Sequence, residues 1–237
     1  MRKMMIAIIA VAMLVLSAAV LANPTGPTQL GIGASSRYGA STNGYQVNAY
    51  AGNVTELDIN GTSITQGWQG YFGNVLGTIV LGDNNNKTLY DWSLTTPSGE
   101  IFASRSSITD WTGVRCANST EIASEETALN FSLTAKDGID ETFGTPNHPS
   151  FYVGSKSIGV NSCNSTNLHN STGQSEATKW YEVLLSDGSS DMVYTSLLEN
   201  NKDGFNGSNY DFQMIVGEDG HNGDTSTTPY YFWVELE

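Results

Sequence analysis

The run from Trp68 to Ser104, WQGYFGNVLGTIVLGDNNNKTLYDWSLTTPSGEIFAS, limits the fold more than any other stretch of the chain. Two turn sequences divide it. GDNNNK offers residues that tolerate left-handed backbone, and TPSG joins a proline that fixes φ to a glycine that allows the chain to return. Three strands are predicted: Gly77–Leu81, Thr88–Leu94 and Glu100–Ala103. In the middle strand Tyr90, Trp92 and Leu94 share one face, and Asp91 and Ser93 share the other. A period of two is what a sheet with one buried and one wet face requires. No catalytic motif falls in this unit.

The same alternation recurs on both sides. Upstream, Tyr45, Val47 and Ala49 alternate, as do Thr55, Leu57 and Ile59. Downstream, strands are predicted at Thr127–Leu133, Phe151–Val153, Trp180–Leu185, Asp211–Val216 and Tyr230–Leu236. In the first of these Leu129, Phe131 and Leu133 face inward and turn Asn130 and Ser132 outward. Met192–Leu198 reads equally as a strand or a short helix, and Ile108, Trp111 and Val114 as a helical turn or a packed loop. Ser119–Glu126 suits a brief helix; Lys136–Pro149 suits a long surface connection. No long amphipathic helix follows residue 22. These features predict an all-β fold: a β-sandwich with Greek-key or jelly-roll-like connections and long loops. Trp68, Tyr71 and Phe72 read either as a sugar-binding platform or as corner residues of the core.

The amino-terminal residues belong to a different class. Arg2 and Lys3 precede an apolar run, Met4–Val15, and Val20-Leu21-Ala22 resembles a cleavage signal. Residues 1–22 are therefore expected to be a removed secretory signal. Residues 23–44, rich in Pro, Gly, Ser and Thr, form a flexible or extended arm, and 45–237 form the sandwich domain or two closely packed β subdomains. The expected protein is secreted or held at the cell surface, with no membrane span in its mature chain. Without Arg2 and Lys3, eight basic residues face 24 acidic ones, a formal charge of −16. That balance excludes nucleic acid as a partner, since nothing neutralises phosphates.

In an oxidising compartment Cys116 and Cys163, the only two cysteines, are expected to form one disulfide. Asn-x-Ser/Thr occurs at Asn53, Asn60, Asn86, Asn118, Asn130, Asn164, Asn170 and Asn206, so glycan attachment is expected at a subset. Enzyme chemistry has residues but no constellation. His148, His169 and His221 are isolated from one another, and neither Glu125/Glu126 nor Asp187/Asp191 defines a carboxylate pair across a cleft. The chain is read as non-enzymatic. Calcium is the cofactor to test, because Asp83 with Asn85, Asp187 with Asp191, Asp203, and Glu218, Asp219 and Asp224 put oxygen donors in loops. None completes a calcium-loop motif, so no metal ligand is assigned.

Tyr50–Val75, Gly77–Ser104 and Tyr210–Glu237, above all WQGYFGNV followed by YDWSL, resemble uncharacterised β-rich secreted or cell-surface proteins of archaea. The resemblance implies an exported surface protein with polymerising or adhesive relatives, and supplies no catalytic residue. Two roles fit: a glycosylated coat component or filament subunit, and a monomeric adhesin or carbohydrate-binding module. In the first, Tyr45, Val47 and Ala49 are the candidate strand donor to a neighbouring subunit, the partners being other copies or other surface proteins.

Overall fold

The computed structural model describes residues 23–39, 43–132, 134–220 and 226–237. The expected signal, residues 1–22, lies outside them. In chain order the first strands are β1 (Trp68–Gly73), β2 (Gly77–Gly82), β3 (Thr88–Leu94), β4 (Gly99–Ser104) and β5 (Arg115–Cys116). Helices α1 (Ser119–Ala128) and α2 (Ile139–Thr142) follow, then β6 (Phe151–Val153), β7 (Lys156–Ile158), β8 (Ser165–Asn167), β9 (Tyr181–Ser186) and β10 (Met192–Leu197). The last are β11 (Lys202–Asp203), β12 (Asn209–Tyr210), β13 (Phe212–Gly217) and β14 (Tyr231–Leu236).

The centre is an open six-stranded antiparallel sheet in the order β14-β4-β10-β9-β5, with β8 on the same edge of β9 as β5. Both faces are covered, which is why β4, β9 and β10 are buried almost without interruption. On one face Ile101, Ala103, Leu184, Met192 and Tyr194 pack against the β1–β13 ribbon and α1, with Met214 and Val216 opposite. On the other, Phe102, Val183, Leu185 and Val193 meet the β6–β7 hairpin and Ile108, Trp111 and Val114. That triad is a packed loop. Each such side chain contributes about 1.5–3 kcal/mol when fully buried.

At the β9 edge, β5 ends and β8 begins around one residue. The Leu184 carbonyl accepts from the Ala117 N–H and its own N–H donates to the Asn164 carbonyl. The Cys116–Cys163 disulfide spans this junction with Cα atoms 5.0 Å apart, joining two short segments into one edge.

The all-β sandwich is overturned. The fold is a mixed α/β one: among the described residues there are several small open sheets and two helices, and no second sheet of comparable size faces the central one. Thr127–Leu133 is the clearest local correction. Asn118 caps α1, its Oδ1 accepting from Thr120 and Glu121 N–H at 2.9 and 3.0 Å, while Glu121 Oε2 accepts from the Asn118 N–H. This reciprocal cap starts a helix that continues through Ala128 and stops where Asn130 adopts φ 56. Alternation in a short apolar run could not reveal that capping signal's reach. Lys136–Pro149 also departs from a plain surface connection, because α2 seats Ile139 and Phe143 in the core.

The opening three-strand unit divides. β2 and β3 pair around Asn86, whose φ of 59 closes the turn. β4 instead enters the central sheet between β14 and β10. The β2–β3 hairpin projects with Ile79, Val80, Leu81, Leu89, Tyr90 and Trp92 all exposed, so neither face is buried. Tyr45–Ala49 and Thr55–Ile59 form no strand. Alternation sets an extended backbone; a ladder needs a partner as well.

Candidate functional site

Two kinds of surface stand out from the compact body. The first is apolar and extended. Along the arm, which continues past residue 44 without an assigned strand as far as Thr65, Leu30, Ile32, Tyr38, Tyr45, Val47, Tyr50, Val54, Leu57 and Ile59 are exposed, with Tyr45 and Val54 fully open to solvent. Ala49, the third member of the candidate donor, is exposed too. The arm touches the body at its beginning, where Thr25 exchanges two backbone hydrogen bonds with Val234 of β14 at 3.0 and 2.9 Å. It rejoins the body where the Thr65 hydroxyl donates to Asp137 at 2.6 Å and Trp68 opens β1.

Among the described residues the outer side of β14 carries that single bridge and no paired strand. By alternation, the N–H and C=O groups of Phe232 and Leu236 point the same way as those of Val234. An edge with free backbone groups thus lies beside an arm with unburied apolar residues.

The second surface is a cleft of about 540 Å³ where the end of β14 meets the start of β4. Glu100, Glu199 and Glu237 supply carboxyls, and Phe151, Tyr152 and Tyr181 supply aromatic walls. Glu100 is 3% exposed and its Oε2 has no hydrogen-bond partner. Burial, then Glu237 and Glu235, pushes the Glu100 carboxyl up to about 9. Glu235, opposite Glu100 in register, is raised to about 7 by burial, although the Gly154 N–H donates to both its oxygens at 3.0 and 2.9 Å. Gly99 permits this close approach: at φ 120 a Cβ would sit 2.1 Å from the Glu235 carbonyl oxygen. The sequence signal missed here was a glutamate in line with two aromatics: Glu235 is buried on the same face of β14 as half-buried Trp233 and exposed Tyr231.

Other candidate residues have structural duties. His148 is buried; its Nε2 accepts from the Cys163 N–H at 3.0 Å and its Nδ1 lies 2.7 Å from the Pro149 carbonyl. Burial holds its pKa down, which leaves a neutral ring bracing the disulfide. His169 is exposed and forms an isolated bridge with Ser175; His221 lies outside the described residues. Glu125 pairs bidentately with Arg105, whereas Glu126 accepts from the Asp140 N–H and is raised by burial.

The proposed calcium oxygens mostly close turns. Asp83 Oδ1 accepts from Asn85 and Lys87 N–H, and Asp187 Oδ1 from Ser189, Ser190 and Asp191 N–H. Asp203 accepts from Ser171, and Glu218 and Asp219 share the Thr228 hydroxyl; Asp224 lies outside the described residues. Among the described residues no group of three or more His, Cys, Asp or Glu is arranged to hold a metal ion.

The sequons occupy unequal positions. Asn53, Asn60, Asn86 and Asn130 are exposed, Asn164 is half-buried, and Asn118 is exposed but commits its Oδ1 to the α1 cap. Asn206 is exposed with its amide on the Tyr210 hydroxyl. Asn170 is buried and its amide nitrogen donates to Glu176, so its acceptor atom is engaged. Of the sugar-platform trio, Trp68 packs on Phe131 and Phe143 and Tyr71 on Phe232. Only Phe72 is exposed, forming a ledge with Phe205 and Tyr210.

Compared with known proteins, the chain matches no family model, no curated protein and no solved structure. Among the described residues no helix is long and apolar enough to cross a membrane.

Proposed function

We propose that this protein is an exported, glycosylated, non-enzymatic surface subunit that assembles by lending its arm to the sheet edge of another copy. The observation that carries the reading is the pairing of opposites within one chain. The arm leaves nine large apolar side chains exposed, while the body leaves the outer edge of β14 with one backbone bridge. Adding a strand to that edge would satisfy backbone groups and bury apolar residues together. The exposed β2–β3 hairpin would add a second contact near the same edge, since Gly77 at its base lies against Leu236.

The test uses positions whose side chains meet solvent in the monomer. Tyr45→Asp combined with Val47→Asp should leave thermal unfolding unchanged and abolish large species in sedimentation velocity. Normal assembly by that double variant would reject strand donation from Tyr45, Val47 and Ala49. The Phe72–Phe205–Tyr210 ledge favours a second reading, a monomeric adhesin or carbohydrate-binding module, because exposed aromatics can stack on sugar rings. Saturable oligosaccharide binding lost in Phe72→Ala, by a protein that stays monomeric, would support that alternative.

A further inference from the structure

The cleft at the end of β14 gathers three glutamates, none of them in an ion pair among the described residues. Glu100, Glu199 and Glu237 all line it. The ion pairs among the described residues engage Glu121, Glu125, Glu141 and Glu176 instead. Lys202 and Lys179 pull the Glu199 carboxyl down from outside, yet burial dominates and leaves it raised. The Glu100 Oε2 is shielded from water and lacks a donor. A buried polar atom left in that state is destabilising, and a ligand bearing N–H groups would relieve it.

The cleft is also built at some expense to the backbone. Trp180, a fully buried non-glycine residue, is held at φ 55, and its backbone hydrogen-bonds the Glu199 carboxyl. Such a conformation is strained in a bulky residue and is retained where surroundings enforce it. Tyr152, 42% exposed, stands at the mouth, with Phe151 and Tyr181 alongside. Carboxyls beside aromatic faces favour a planar organic cation, which can donate in the plane and stack through its face.

The chain carries one such cation in the right place. Between residues 23 and 86 Arg37 is the only lysine or arginine, and it is exposed in the arm beside exposed Tyr38. Resting on the strand-donation reading, we infer that Arg37 from the arm of one copy inserts between Glu100, Glu199 and Glu237 of a second copy. The cleft adjoins the end of the edge that would receive the arm. Eight residues separate Arg37 from Tyr45, a reach of about 26 Å when extended, so Tyr45–Ala49 on β14 leaves Arg37 within range. The occupant is therefore a guanidinium delivered by this chain, and it fixes the position of the donated strand along the edge. Because Thr25 is bridged to β14 only 12 residues before Arg37, an arm could also reach its own cleft, and the experiment separates the two.

Arg37→Cys and Tyr152→Cys are made singly in the full mature protein, mixed and assembled under mild oxidation. The inference expects a disulfide-linked heterodimer in the mixture and neither homodimer at comparable yield. Arg37→Glu should raise the concentration needed for assembly about tenfold or more, with Arg37→Lys in between, as for a desolvated charge pair. Assembly that proceeds normally without the mixed disulfide, and is indifferent to Arg37→Glu, overturns the cleft assignment while leaving strand donation intact. A double variant that closes mainly within one chain overturns donation of Arg37 to a second copy. Failure of the Tyr45/Val47 double variant to impair assembly overturns the broader reading, and is read independently of any cysteine.

Discussion

β10 and β3 are made of similar material and have opposite surroundings. β10, MVYTSL, lies between β4 and β9 with both faces covered, and every residue is buried. β3, TLYDWSL, has β2 as its one neighbour and is exposed except for half-buried Leu94. The difference teaches that apolar alternation specifies a strand but leaves open what will cover it. In β10 the cover belongs to the same chain. In β3, and more fully in the arm, the account assigns it to another copy.

The contrast is broken most strongly by truncating one aromatic in each region. Phe102→Ala, in a side chain with no exposure, should destabilise the monomer by about 3–5 kcal/mol in urea unfolding. Trp92→Ala, in the exposed hairpin, should change monomer stability by less than about 0.5 kcal/mol. A comparable loss at both would mean that the hairpin is buried in the isolated protein. Replacing Cys116 and Cys163 by Ala comes next. A crosslink between residues 47 apart should contribute about 2–4 kcal/mol, measured by the same unfolding, with the loss confined to the body.

Much of the body was legible because strand signals there reflect local chemistry. The strands predicted at Phe151–Val153, Trp180–Leu185, Asp211–Val216 and Tyr230–Leu236 occur as β6, β9, β13 and β14 within a residue at most boundaries. The brief helix expected at Ser119–Glu126 is present, but it runs on to Ala128, into the stretch read as a strand from the alternation of Leu129 and Phe131. Partnering was not legible. Nothing in TPSG shows that β4 leaves β3 to lie between β14 and β10, since that choice depends on residues more than 90 positions away. The sandwich was inferred from strand number, which says nothing of how strands divide among sheets. The acidic cleft was missed for the same reason: Glu100 and Glu235 become neighbours only through the β4–β14 register.

A finer division follows from pH. Glu100 is held at about 9, well above an ordinary carboxyl at 4.5, so the folded body keeps a proton that the unfolded chain releases. Its contribution to stability is complete below about pH 4.5 and is lost as pH rises through 9. Glu235, at about 7, steepens the lower part of that fall. Urea unfolding from pH 5 to 9 should show declining stability, and Glu100→Gln should flatten the decline above pH 7. An unchanged slope in that variant would remove Glu100 as its source. A modest effect is expected at the α1 cap, where Asn118→Ala should cost about 1 kcal/mol without altering assembly.

The central claim is that the exposed arm is completed by another copy, and electron cryomicroscopy of the native assembly tests it most directly. Density is expected for Tyr45, Val47 and Ala49 as a strand hydrogen-bonded along β14 of a neighbouring subunit. An assembly in which each arm follows its own body, with β14 edges unpaired between copies, would contradict it.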